Sequence, residues 1–374
     1  MTTGRRTLRF RACSRMLALV AMATSGALLP ARPASAHSAS NSPASNYVSS
    51  ITAVSPRTTA FSVRVIEAGS RLELRWRSGD DVLVPDYDGH PYLRVGPKGV
   101  EENQQSNAVY LNRSRLGSTT IPDGLKPEGP PQWKLIATEP VARWHDHRIH
   151  WMSSSAPPQV AGRANQRQLI QDWDVPVTQG GLGHHVKGTL FWVPGPSPTP
   201  FLGVAAVLAA ALIGLALWAR RSASGVLRAC LAVIPAVVAL VVADALHLFG
   251  IAFGIEGSTA SGFGRLFSVG YVSIAAWVLV AMAIALLLRR RDDALYLVTF
   301  AAGLMFVVGG LADFSVLSRA SIPSAFSVGI ARWCIAVTLG LGFGLATAAV
   351  LLTRPTPRSV DPDEPIAVAR TVTT

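Results

Sequence analysis

Five apolar segments between residues 201 and 353 constrain this chain more than anything else in it. They lie near 201–219, 229–250, 266–288, 294–316 and 333–353, and each is long enough to cross a bilayer. Inside lipid every backbone N–H and C=O needs a partner within the protein, so a spanning segment of this kind must be helical. The expectation for residues 201–353 is therefore an all-α five-helix transmembrane bundle with the lipid bilayer as its first partner. A chain that is 49% hydrophobic and only 15% charged agrees with that.

Basic residues beside the spans set the orientation. One set of loops carries Arg220, Arg221, Arg228, Arg289, Arg290, Arg291, Arg354, Arg358 and Arg370; the other carries Arg265, Arg319 and Arg332. Nine against three puts the first set, with the carboxyl terminus, in the cytoplasm of a plasma-membrane protein. Everything before the first span is then outside. Residues 1–36 read as a secretory signal peptide: arginines, an apolar run from Met16 to Leu29, then the small-x-small site Ala34-Ser35-Ala36. Removing it takes six arginines from a formal charge of +12 and leaves about +6. The remaining excess sits in loops beside the spans, so it is not a nucleic-acid footprint. Of the three cysteines, Cys13 leaves with the signal and Cys230 and Cys334 fall in apolar spans, so the exported part has no disulfide framework.

Residues 37–46 are rich in Ser, Ala and Asn and read as a flexible segment. Residues 47–193 show short alternating runs separated by Gly, Pro, Asp and Asn. Candidate strands are Phe61 to Glu67, Arg71 to Arg77, Asp81 to Tyr87, Pro91 to Val95, Val100 to Asn103, Ala108 to Leu111, Trp133 to Ala137, the stretch around His145, and Val186 to Val193. Such a set with no convincing helix predicts an extracytoplasmic all-β sandwich of Ig-like type. Residues 194–200, proline-rich, are a stiff linker to the bundle, and residues 354–374 a disordered cytoplasmic tail.

Seven of the eight histidines lie in the exported part: His37, His90, His145, His147, His150, His184 and His185. In an extended strand from Arg143 to Met152, His145 and His147 would share one face, as a chelating pair does. Imidazoles without cysteine suit copper or zinc. Cleavage after Ala36 would leave His37 as the first residue, whose amine and imidazole can both hold copper. The equally available reading is a polar rim beside Trp144 and Trp151. Asp146 and Arg148 alternate with the histidines and read as a structural ion pair, or as support for a ligand.

Two resemblances bear on this region. The stretch Gly183-His184-His185-Val186-Lys187-Gly188, with the strand after it, resembles the last strand of CopC-type periplasmic copper-binding domains. His184 matches the ligand histidine and Gly188 the strand glycine, while Leu182 stands where that family has an aspartate and His185 where it has a proline. The resemblance implies Cu(II) binding through His184 and an amino-terminal histidine. More widely, Tyr87 to Gly96, Asn107 to Asn112, Trp144 to Trp151 and Gly188 to Val193 resemble a group of uncharacterised exported membrane proteins of actinobacteria, which implies the architecture but no activity. Asp88-Gly89-His90-Pro91 also matches the CopC tetrapeptide, but its continuation Tyr-Leu-Arg-Val-Gly-Pro differs, so it reads as a turn between strands.

In the second span Asp244 and His247 are three residues apart and share a helix face. Asp313 ends the fourth span. Both spans run outward, so the three should meet near the outer face, and ionisable groups in spans are functional candidates by default. No phosphate-binding loop, hydrolase elbow or kinase set occurs, and no nucleophile or oxyanion arrangement supports an enzyme. The leading expectation is metal handling at the cell envelope, copper binding or delivery with His145, His147, His184, His185 and His37 as ligands. The alternative is a non-metal module that binds an envelope protein. Metal handling requires about three ligands to converge.

Overall fold

The computed structural model describes residues 44–353 except 154, 222, 255–258 and 292. The expected signal peptide, His37 and the carboxyl-terminal tail lie outside the described residues.

The amino-terminal region is antiparallel β-sheet. A seven-stranded sheet has the order β1-β10-β9-β4-β5-β6-β7, formed by β1 (Tyr47–Ser55), β4 (Val82–Pro85), β5 (Pro91–Gly96), β6 (Gly99–Asn103), β7 (Trp133–Ala137), β9 (Gln168–Gln179) and β10 (Leu182–Trp192). A three-stranded sheet has the order β2-β3-β8, formed by β2 (Phe61–Ile66), β3 (Arg71–Trp76) and β8 (Val141–His145). Alternating side chains from both sheets meet in one core: Phe61, Leu72, Leu74 and Trp144 from the smaller, Val84, Val95, Val175, Val186 and Leu190 from the larger. Strands β1 and β9 have no counterpart in the sequence reading. The first lies at an edge and buries little. The second carries Pro176, which breaks the usual strand signal; β4 pairs with it only at Thr178 and Gln179, short of that proline.

One segment differs from the sequence expectation for a local reason. Ala108–Leu111 is a short helix, α1, where a strand was expected. The Ser106 hydroxyl, which accepts the Ala108 N–H, also donates to Asp86 and anchors the entry to that turn. Gly188, opposite Trp173 in the β9–β10 pair, leaves its face empty so that the indole can lie across it; a Cβ there would overlap the ring and Ser50 O.

Five helices among the described residues are long and apolar enough to cross a membrane. They are α2 (Thr199–Ala219), α3 (Ala223–Gly254), α4 (Thr259–Leu288), α5 (Ala294–Met305) with its π-helical extension Phe306–Leu311, and α6 (Val328–Thr353). Helix α6 is the most buried and packs on α2, α3 and α5. Small residues permit this: a Cβ at Gly340 would meet Ala205 O of α2, and one at Gly342 would meet Phe306. Gly303, by contrast, has nothing within 4 Å of such a position and makes no close helix contact there.

The β region is tied to one end of the bundle by the segment between Asp313 and α6. Ser45 and Ser321 exchange backbone hydrogen bonds of 2.9 and 2.8 Å, so Ser45, expected in a flexible segment, is held. Asn46 Oδ1 accepts the Ala320 N–H at 3.0 Å. The Ser321 hydroxyl donates to Ala68 O at 3.4 Å, in a connection where Glu67 and Ala68 hold left-handed φ angles of 51° and 56°.

Candidate functional site

The bundle gathers polar groups at the end that carries the β region. On α3, Asp244 and His247 are one turn apart and both buried. Across the bundle, the chain that continues α5 leaves α-helical geometry at Phe306–Leu311, where Ala312 N–H bonds to Val307 O at 3.0 Å. Such widened turns recur at functional sites. The shift ends the helix at Asp313 and brings its Oδ2 to 3.0 Å from His247 Nε2. Gly309 lies in the widened segment, and a Cβ there would collide with Asp244 Oδ1. This glycine is the space into which the carboxylate fits. Asp244 Oδ2 accepts the Trp277 indole N–H of α4 at 2.8 Å. Asp244, His247, Asp313, Gly309 and Ser273 line one narrow gap with no room for a water molecule, and the fully buried Thr338 hydroxyl of α6, beside Gly309, has no hydrogen-bond partner. The three ionisable residues singled out from sequence therefore border a single space, with an acid–base couple at one side of it.

The histidine segment of the β region is built differently from its sequence expectation. Strand β8 stops at His145 and the chain turns, with Ile149 N–H bonding to Asp146 O at 3.2 Å. The cause is Asp146. Its Oδ1 accepts the backbone N–H of Arg148 at 3.1 Å and Nε at 2.8 Å, and its Oδ2 accepts Arg148 Nη2 at 2.7 Å and the Trp144 indole at 2.9 Å. Burial works to raise the Asp146 pKa, but the bonds and charge of Arg148 outweigh it and hold the carboxyl below its usual range. Strand alternation therefore ends before His147. That ring stacks on Tyr87 at 5.5 Å, meets the edge of His150 at 5.6 Å, and donates from Nε2 to Ser114 O at 3.2 Å.

His145 donates from Nδ1 to Ser70 O at 2.9 Å. Burial, reinforced by the charges of Arg71 and Arg115, pushes its pKa down to about 4. Burial and Arg115 push His150 down to about 3, and its Nε2 is enclosed without a partner. Both rings are thus neutral at ordinary pH. His184 donates from Nδ1 to Pro56 O at 2.9 Å and sits edge-on to Phe61, while its neighbour His185 points to the other face and pairs with Asp174 at 2.9 Å.

Among the described residues, the group of three whose ligand atoms fall within 4.8 Å of one another is Asp86, Asp88 and His90. Asp86 is already engaged as the staple of the β4–β5 turn: Oδ1 accepts the N–H groups of Asp88 and His90, and Oδ2 the Ser106 hydroxyl. The structure does not bring His145, His147, His184 and His185 into one such group. Compared with family models, curated proteins and solved structures, the chain matches none.

Proposed function

We propose that this chain is a multi-pass envelope membrane protein that handles a cation in its bundle, the cation being a proton held at His247 and Asp313. The observation that supports this most is the couple itself, at 3.0 Å beside Asp244 and a π-helical break. Ionisable groups at membrane depth are costly and mark ion and proton paths. A carboxylate and an imidazole in contact can pass a proton without leaving a net charge stranded between them. On this reading the β region is an Ig-like sandwich outside the cell, docked over the mouth of the site through Ser45, Asn46 and Ala68, and the arginine-rich loops and carboxyl terminus are cytoplasmic. The test is proton uptake by proteoliposomes of the full chain under an imposed potential, with a pH-sensitive dye inside. Wild type should acidify the lumen and Asp313→Asn should not; equal uptake by both would end this reading.

A second reading, metal handling by the β region, is favoured by the grouping of Asp86, Asp88 and His90. It keeps copper or zinc as the cation and the CopC-like last strand as its antecedent. The anchoring of His145 and His184 through Nδ1 leaves Nε2 as the free nitrogen, the pattern of metal-ligating histidines. Metal analysis of the same purified full chain decides it: stoichiometric copper or zinc lost in His90→Ala would favour this reading over proton handling.

A further inference from the structure

We propose that the cleft between the two sheets is a binding site for a small organic carboxylate. It is independent of the bundle site. The cleft holds about 210 Å3 and is walled by β5 and β6 on one side, β3 and β8 on the other, and α1 at its end. Three guanidinium groups from three separate elements line it, Arg71, Arg113 and Arg143, against one acid, Glu102.

Two of these cations are positioned by groups that leave donors to spare. Arg71 donates from Nη1 to Glu67 at 3.1 Å and from Nη2 to Arg143 O at 2.8 Å, while its Nε is buried with no partner. Arg143 donates from Nε to Glu73 at 2.7 Å. A guanidinium carries five donors in a rigid fork that suits a carboxylate, and leaving a buried donor unmet costs about 1–3 kcal/mol. A ligand oxygen in the cleft would meet that need. Arg113, over the Tyr110 ring at 4.8 Å, stands at the exposed side. Burial raises the Glu102 pKa, with Arg113 opposing, so this acid is more easily neutralised than a surface glutamate.

The remaining wall is mixed: Asn112 and Tyr92 stand beside an apolar patch of Leu93, Val100, Val109 and Ala142, and that patch would cover a short carbon chain. The volume is below the range of about 300–1,000 Å3 typical for drug-sized ligands. Both facts point to a short-chain organic acid.

The test is calorimetric titration of the full chain in detergent with acetate, succinate, glutarate and benzoate, and with inorganic phosphate as the competing anion. At least one organic acid should bind saturably at one site. Arg113→Gln should weaken it at least tenfold. Ile136→Trp, which fills the cleft from a half-exposed position without changing charge, should do the same while thermal unfolding without ligand is unchanged. No saturable binding by any of the four acids overturns the proposal. So does binding that survives Ile136→Trp, and so does phosphate bound as tightly as the best acid.

Discussion

Two ion pairs, each with one buried and one partly exposed member, sit in the two halves of this molecule, and they are built to opposite specifications. In the β region Asp146 receives four hydrogen bonds, three of them from Arg148, within one turn of chain. In the bundle His247 and Asp313 meet through a single contact, beside a narrow gap and a π-helical break. An arginine cannot shed its charge in a protein, whereas an imidazole can. The first pair therefore fixes a turn, and the second can change state without breaking the fold. Burial of charge alone does not separate structural from functional pairs; the number of bonds and the chemistry of the cation do.

The largest effect should come from breaking the pair that cannot adapt. Asp146→Asn leaves Arg148 enclosed without its counter-charge, and should destabilise the β region by about 3–5 kcal/mol in denaturant unfolding followed by tryptophan fluorescence. A loss below about 1 kcal/mol would make the turn as adaptable as the bundle couple.

Acid should act next, and on the β region. His145 and His150 have folded pKa values near 4 and 3, depressed from the ordinary 6.5, so the unfolded chain binds more protons below that value. Their contribution is complete above pH 6.5 and is lost as pH falls toward 4, at up to about 1.4 kcal/mol per pH unit for each ring. Asp146, also depressed, adds its loss only below its unfolded pKa of 3.8. Amide hydrogen exchange across β3 and β8 at several pH values measures the slope; a flat profile over this interval would contradict the burial of both rings.

Gly188→Ala drives a methyl group into Trp173 and Ser50 O and should cost about 1–3 kcal/mol of thermal stability, checked by calorimetry. The smallest change in stability should follow Asp313→Asn, about 1 kcal/mol, because His247 can become neutral and leave no stranded charge. A loss as large as that of Asp146→Asn would show that the bundle couple is structural after all.

The five apolar helices were legible because a bilayer leaves the backbone no alternative, and their composition reports it directly. Asp244 and His247 could be placed on one face from helical spacing, and Asp313 could be brought to them from the direction of the spans. What was not legible came from short-range bonds that override periodicity. Asp146 captures the N–H of Arg148 and ends β8 before His147, a turn that a run of Trp, Ile and His conceals. Ser106 initiates α1 where alternation suggested a strand. Nothing in the sequence links Gly309 to Asp244, sixty-five positions earlier.

The most direct test of the contrast is proton exchange at the two pairs themselves. Solid-state NMR of the full chain in lipid, labelled with 15N at histidine and tryptophan, follows the His247 ring N–H and the Trp144 indole N–H after transfer into D2O, with His247→Ala and Trp144→Phe giving the assignments. The account predicts that His247 exchanges promptly through its contact with the partly exposed Asp313 while Trp144, locked on Asp146, stays protected. Equal protection of both would contradict it, because a couple sealed from water has no proton to pass.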